Sequence, residues 1–144
     1  MTSPRPPSPV VLDTNIVLDA FVFSDAAALP LKQALVAAQL QWLATPAMRS
    51  ELERVLAYPQ ITPRLAFYGL AAGDVLAAFD RHACLVEAAP KACVTCSDPD
   101  DQPFIDLAVA HKARLLSKDR AVLSMKKRLE VLDVRTSSAI ESIA

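Results

Sequence analysis

Glycine is scarce in this chain: Gly69 and Gly73 are the only two in 144 residues. They form no Gly-rich cradle, which excludes nucleotide binding of the P-loop or dinucleotide-fold kind. Cysteine is sparse as well, and its count of three is odd. That argues against a disulfide framework and for a reducing, cytoplasmic setting. Neither sign of charge dominates, with a net charge of −1 and a pI of about 6.1. A protein that grips nucleic acid by counterion release is normally more basic. Any RNA or DNA substrate would therefore need metal ions and a local basic rim. No apolar run approaches the ~20 residues of a membrane span. Residues 1–9 are rich in Pro and Ser and contain no apolar signal-peptide core, so they read as a disordered lead-in.

What the chain does have is apolar mass. Hydrophobic residues make up 53%, and the mean hydropathy is +0.28. A domain of about this length buries roughly 68–70% of its unfolded surface, enough for a core without staples. Residues 10–144 read as a single domain. Val10 to Leu12 is a short continuous apolar run, as in a strand buried on both faces. Further strands are expected at Gln41–Ala44, Cys84–Val86, Leu115–Ser117 and Leu129–Val134. Helices are expected from Ile16, around Leu31–Ala38, from Pro46 to about Ala57, around Arg64–Tyr68 and Asp74–Ala83, and from near Asp100 to Gln102 on to about Lys112. Asp119–Met125 reads as a short helix or turn, and Ser137–Ile143 as a closing helix capped by Thr136. The alternation predicts an α/β, three-layer sandwich with a mostly parallel central sheet flanked by helices.

Four carboxylates stand where such elements meet loops: Asp13, Glu51, Asp101 and Asp119. Asp13 and Asp119 lie just past the carboxyl ends of expected strands, where ligands bind in sheets of this kind. On the helix after Pro46, Met48, Leu52, Val55 and Leu56 form one apolar arc. Glu51 falls about 40° outside one edge of it and Glu53 about 60° outside the other. Glu51 is nearer the helix start, which favours it as the inward acid; a pairing with Arg54 is the plain alternative. Asp101 precedes Phe104, Ile105 and Ala108 by three, four and seven residues, on the apolar side of its helix. It could instead serve only as a cap or favour the helix dipole. Asp106 lies near the opposite face, where it would be solvated or would support a ligand from behind, and Asp98 before Pro99 could reach the edge of the metal site but suits a turn better. Acids that converge without cations repel one another, so they need a shared divalent ion. Hard oxygen ligands select Mg²⁺ or Mn²⁺ over Zn²⁺.

The segment Val-Val-Leu-Asp-Thr-Asn-Ile (10–16) resembles the opening strand of PIN-domain ribonucleases. Glu51 sits in a helix after a Pro, as their second acid does. Cys-Ser-Asp-Pro-Asp-Asp-Gln-Pro-Phe-Ile-Asp-Leu-Ala (96–108) is similar to the third-acid segment of a branch that includes VapC-like toxins of toxin–antitoxin pairs. Leu-Leu-Ser-Lys-Asp (115–119) resembles the fourth-acid strand. The resemblance implies a parallel sheet, Mg²⁺ or Mn²⁺ at the acids, cleavage of RNA, a homodimer and, for a toxin, an antitoxin partner. It makes Asp13, Glu51, Asp101 and Asp119 the catalytic and metal-binding quartet, with Asn15 and Ser117 at the polar positions beside it. Asp13 would bind metal most directly and Glu51 would hold a water or act as its base. Ser117 and Asn15 would orient the carboxylates. RNA contact would come from Arg49, Lys118, Arg120 and the run Lys126-Lys127-Arg128. Lys118 departs from the Gly common in that branch, and a cation there could touch phosphate or quench the site.

Three other readings compete. A phosphatase of haloacid dehalogenase type also opens with a strand ending in Asp, but it needs an Asp where this chain has Asn15. A zinc module could use His82, Cys84, Cys93 and Cys96. A degenerate PIN domain would bind partners without catalysis.

Overall fold

The structure is a computed structural model describing residues 7–140. Five strands, β1 (Ser8–Leu12), β2 (Leu40–Ala44), β3 (Ala83–Leu85), β4 (Arg114–Leu116) and β5 (Thr136–Ser137), form one sheet in the order β3-β2-β1-β4-β5. Every pairing is parallel. The helices are α1 (Thr14–Phe21), α2 (Leu29–Val36), α3 (Pro46–Leu56), α4 (Thr62–Phe67), α5 (Ala72–His82), α6 (Gln102–His111), α7 (Arg120–Leu123) and α8 (Lys126–Val131).

Parallel strands need helical crossovers, and these are right-handed almost without exception. The chain steps outward from β1 to β2 to β3, then returns to place β4 on the other side of β1. That reversal puts α1–α5 on one face of the sheet and α6–α8 on the other. Accordingly α2 packs on β2, whereas α6 packs across β1 and β4. Covered on both faces, β1 and β4 are apolar throughout their inner residues: Val10, Val11, Leu115 and Leu116 have no exposure. Removing one such Leu side chain costs about 2–5 kcal/mol. Trp42 anchors the layer of α1–α5, stacked on Phe21 and edge-on to Phe79. No single helix among the described residues is long and apolar enough to cross a membrane.

Local chemistry sets the element boundaries. Thr45 caps α3 by accepting from the Met48 N–H at 3.3 Å, with Pro46 at the first helical position. The helix α2 ends two residues earlier than expected, because Ala38 takes a left-handed backbone at φ 57°.

Two expected elements near the C-terminus are different. Leu129–Val134 is not a strand: Lys126–Val131 is α8, and the last strand is Thr136–Ser137. Met125 and Leu129 are buried four residues apart, a helical spacing, while Val131 is 83% exposed. Thr136 does not cap a closing helix, since it and Ser137 pair with Leu115 and Leu116 in β5; residues 141–144 of the expected helix lie outside the described residues. At the N-terminus, β1 takes in Ser8 and Pro9, two residues before the expected start, and residues 1–6 of the lead-in are likewise outside the described residues.

Candidate active site

Crossovers leave β1 and β4 in opposite directions, so a crevice opens at the carboxyl ends of this adjacent pair. Asp13 follows β1 directly and caps α1, its backbone N–H donating to the Leu116 carbonyl at 3.0 Å. Ser117 follows β4 and Asp119 caps α7. Asp101 caps α6, which lies over both strands. The topology thus delivers three acids from distant stretches to one place.

One hydroxyl organises two of them. Ser117, fully buried, donates from Oγ to Asp13 Oδ2 at 2.7 Å and accepts from the Asp119 N–H at 3.0 Å. Asp13 Oδ1 accepts from the Asn15 backbone N–H at 2.8 Å. The bond that Asn15 makes to this carboxylate comes from its backbone. Asp98, Asp101 and Asp119 each offer a carboxylate oxygen, all within 4.8 Å of one another. Asp13 stands behind this trio, joined through Ser117. Glu51 reaches the same end of the sheet but bonds Thr14, whose Oγ1 donates to Glu51 Oε2 at 2.9 Å. It is beside the trio and not one of it.

The electrostatics of the crevice are unbalanced. Burial pushes the Asp101 carboxyl up to about 7, helped by a hydrogen bond with Asp119 and by the charges of Asp119, Asp13 and Asp98. Its Oδ2 is buried without a hydrogen-bond partner. Burial also raises Asp13, opposed by the bonds from Ser117 and Asn15; Asp119 raises it further and Lys118 draws it down. A cluster of three acids, one of them with a buried oxygen that has no hydrogen-bond partner, fits a divalent cation with oxygen ligands.

A family model for the PIN domain matches residues 9–121. The chain belongs to the PIN-domain family. Such domains are in general nucleases. No match was found among the curated proteins. Among solved structures, a crystal structure of VapBC2 from Rickettsia felis, bound to a DNA fragment from their promoter, superposes with a TM-score of 0.59 at 13% identity. The match covers 90% of this chain and 97% of that one, and establishes likeness of fold. Membership replaces the haloacid dehalogenase alternative.

The cations expected at the rim of this PIN domain are partly committed. Arg49 grips Asp80 on α5 through two bonds of 2.7 and 2.9 Å, which holds its guanidinium up and the Asp80 carboxyl down. Lys118 pairs with the buried Asp19 of α1 at 2.5 Å, so it does not sit on the acids. Arg120 and Lys126–Arg128 are exposed. The zinc alternative is not supported. Cys84 and Cys93 are exposed and Cys96 is buried, and no His or Cys joins a metal-capable group among the described residues.

Two acids do more than the favoured sequence reading gave them. Asp98 does hold a turn, its Oδ1 accepting from the Asp100 N–H at 3.0 Å, yet the same side chain also enters the acid trio. Asp106, neither solvated nor beside the acids, clamps the loop before it. Its Oδ1 accepts from the Ala92 N–H and from Gln102 Nε2, and Gln102 Oε1 accepts from the Cys96 N–H. The Asp-Pro-Asp-Asp sequence was the available signal for Asp98; nothing local signalled the clamp.

Proposed function

We propose that this PIN domain is a metal-dependent endoribonuclease, hydrolysing RNA phosphodiester bonds as the toxin of a toxin–antitoxin pair. The observation that carries the reading is the convergence of carboxylate oxygens from Asp98, Asp101 and Asp119, with Asp101 Oδ2 buried and without a hydrogen-bond partner. Asp101, Asp119 and Asp98 would hold Mg²⁺ or Mn²⁺, with Asp13 supporting them. The bound ion would neutralise charge on the phosphate and favour ionisation of water.

The chain's own residues have definable parts. Ser117 fixes the Asp13 carboxylate and the start of α7 together, so the two acids keep a common orientation. Without the ion the Asp101 carboxyl keeps its proton up to about pH 7, so binding a cation there would displace that proton. Thr14 holds Glu51 by Oε2, leaving Oε1 to accept a proton from water. Because Lys118 is engaged by Asp19, the case for a quenched, binding-only domain weakens. The VapBC2 likeness supports the further expectation of an antitoxin partner, and the family resemblance that of a homodimer.

The test is cleavage of a single-stranded RNA by the purified chain with Mg²⁺ or Mn²⁺, against the same chain carrying Asp119→Asn. The reading expects cleavage that requires the ion and is lost in the variant. Equal cleavage by a folded Asp119→Asn protein would overturn it.

A further inference from the structure

Beside the acid crevice lies a cavity of about 370 Å³ lined by Asn15, Asp19, Phe23, Asp25, Arg64 and Lys118. Two of its residues adjoin the acids: the Asn15 N–H holds Asp13, and Lys118 immediately precedes Asp119. Whatever fills it lies on the side of the acid crevice that Asn15 and Lys118 border. Its charges largely cancel. Lys118 is paired with Asp19, and Asp25 Oδ1 accepts from the Ala27 N–H at 2.9 Å. A cavity with two cations against two carboxylates is a poor phosphate trap. Its wall is instead planar and polarisable: the Arg64 guanidinium lies 3.5 Å from the centre of the Phe23 ring. Tyr68 packs against Phe23 at 6.4 Å and remains 42% exposed.

We propose that this cavity takes one nucleobase of a single-stranded RNA, stacked on the Arg64–Phe23 platform beside the phosphate to be cleaved. The inference rests on the ribonuclease reading above. Guanidinium planes and aromatic rings are the surfaces on which unpaired bases stack, and duplex RNA keeps its bases out of reach. The Asn15 amide carries both a donor and an acceptor for a base edge. Arg64 is thus a substrate-positioning residue through its flat face more than its charge.

The test measures binding without cleavage. The full chain carrying Asp13→Asn is titrated with a fluorescent single-stranded hexaribonucleotide, alone and with Arg64→Ala or Arg64→Lys added. A hexamer with an abasic site probes the same cavity unmodified, so the test survives if an Arg64 variant fails to fold. Stacking predicts that both Arg64 variants weaken binding by about 5- to 100-fold, and that the best-placed abasic site does the same. Parent-like affinity for Arg64→Ala, full rescue by Lys, indifference to abasic sites at every position, or no measurable binding by the Asp13→Asn chain overturns the proposal. A surface built for a protein partner would give the same indifference to bases. Cleavage by the unmodified chain, with binding insensitive to Arg64, sinks the base subsite alone. Base-dependent binding without any cleavage sinks the ribonuclease reading alone.

Discussion

Two groups of carboxylates in this protein are treated in opposite ways. On the outer surface of α3 and α5, Asp80 receives both arms of Arg49 and is held as an anion in the open. At the carboxyl ends of β1 and β4, Asp98, Asp101 and Asp119 crowd together, and among the described residues no cationic side chain forms a salt bridge with the trio. The nearest Lys, Lys118, turns to Asp19 instead. An acid with its own cation is finished business; acids buried together without one retain a site for something from outside. The contrast shows why a salt-bridged acid is weak support for function, while an uncompensated buried one is strong.

The contrast breaks most visibly in catalysis. Asp119→Asn or Asp101→Asn should lower metal-dependent RNA cleavage by about 10²-fold or more, the scale of losing directed charge stabilisation at a reacting phosphate. Initial rates on a labelled single-stranded RNA read this, with circular dichroism as the check on folding. Ser117→Ala should be next, at about 10- to 100-fold in activity or metal affinity, as for residues that orient ligands. It removes the donor to Asp13 and the acceptor for the Asp119 N–H at once.

Stability against pH sharpens the comparison further. With its carboxyl raised to about 7, Asp101 holds a proton in the folded state over a range where the unfolded chain, titrating at about 3.9, has lost it. Stability of the metal-free protein should therefore fall as pH rises from about 4 to about 7, then level off. Asp101→Asn should remove that contribution, so that its melting temperature gains on the parent's as pH rises. Asp80 contributes with the opposite sign, since its lowered carboxyl is worth stability above the unfolded value and loses it on acidification. The smallest effect belongs to this exposed pair. Arg49→Ala should leave RNA cleavage and thermal unfolding at pH 7 close to the parent's, because solvent screens the ion pair.

Much of this was legible from the residues, for reasons that can be named. The buried runs Val10–Leu12 and Leu115–Leu116 announce central parallel strands, since covered faces demand apolar residues on both sides. Thr45-Pro46 marks its helix start by capping chemistry. Asp13 and Asp119 could be placed because strand ends are fixed by these runs, and the switch in strand order then brings them together. Glu51 illustrates the limit of a helical wheel. The wheel turns it toward the sheet end, but its partner, Thr14, is set by how α3 packs beside α1. Asp98 ranks behind the other acids in the sequence because its local turn is a sufficient account of it, and only the fold brings it beside Asp101 and Asp119. The C-terminal error has the same root: Leu129, Val131, Leu132 and Val134 suit either period, and burial of Met125 with Leu129 decides for the helix.

The most direct measurement is Mn²⁺ binding to the purified, metal-free chain at pH 8, by calorimetry or electron paramagnetic resonance, beside its Asp101→Asn variant. The account predicts saturable binding by the parent and a loss of about tenfold or more in the variant, whose fold is retained. A parent that takes up no Mn²⁺, or a variant that binds as tightly as the parent, would contradict it.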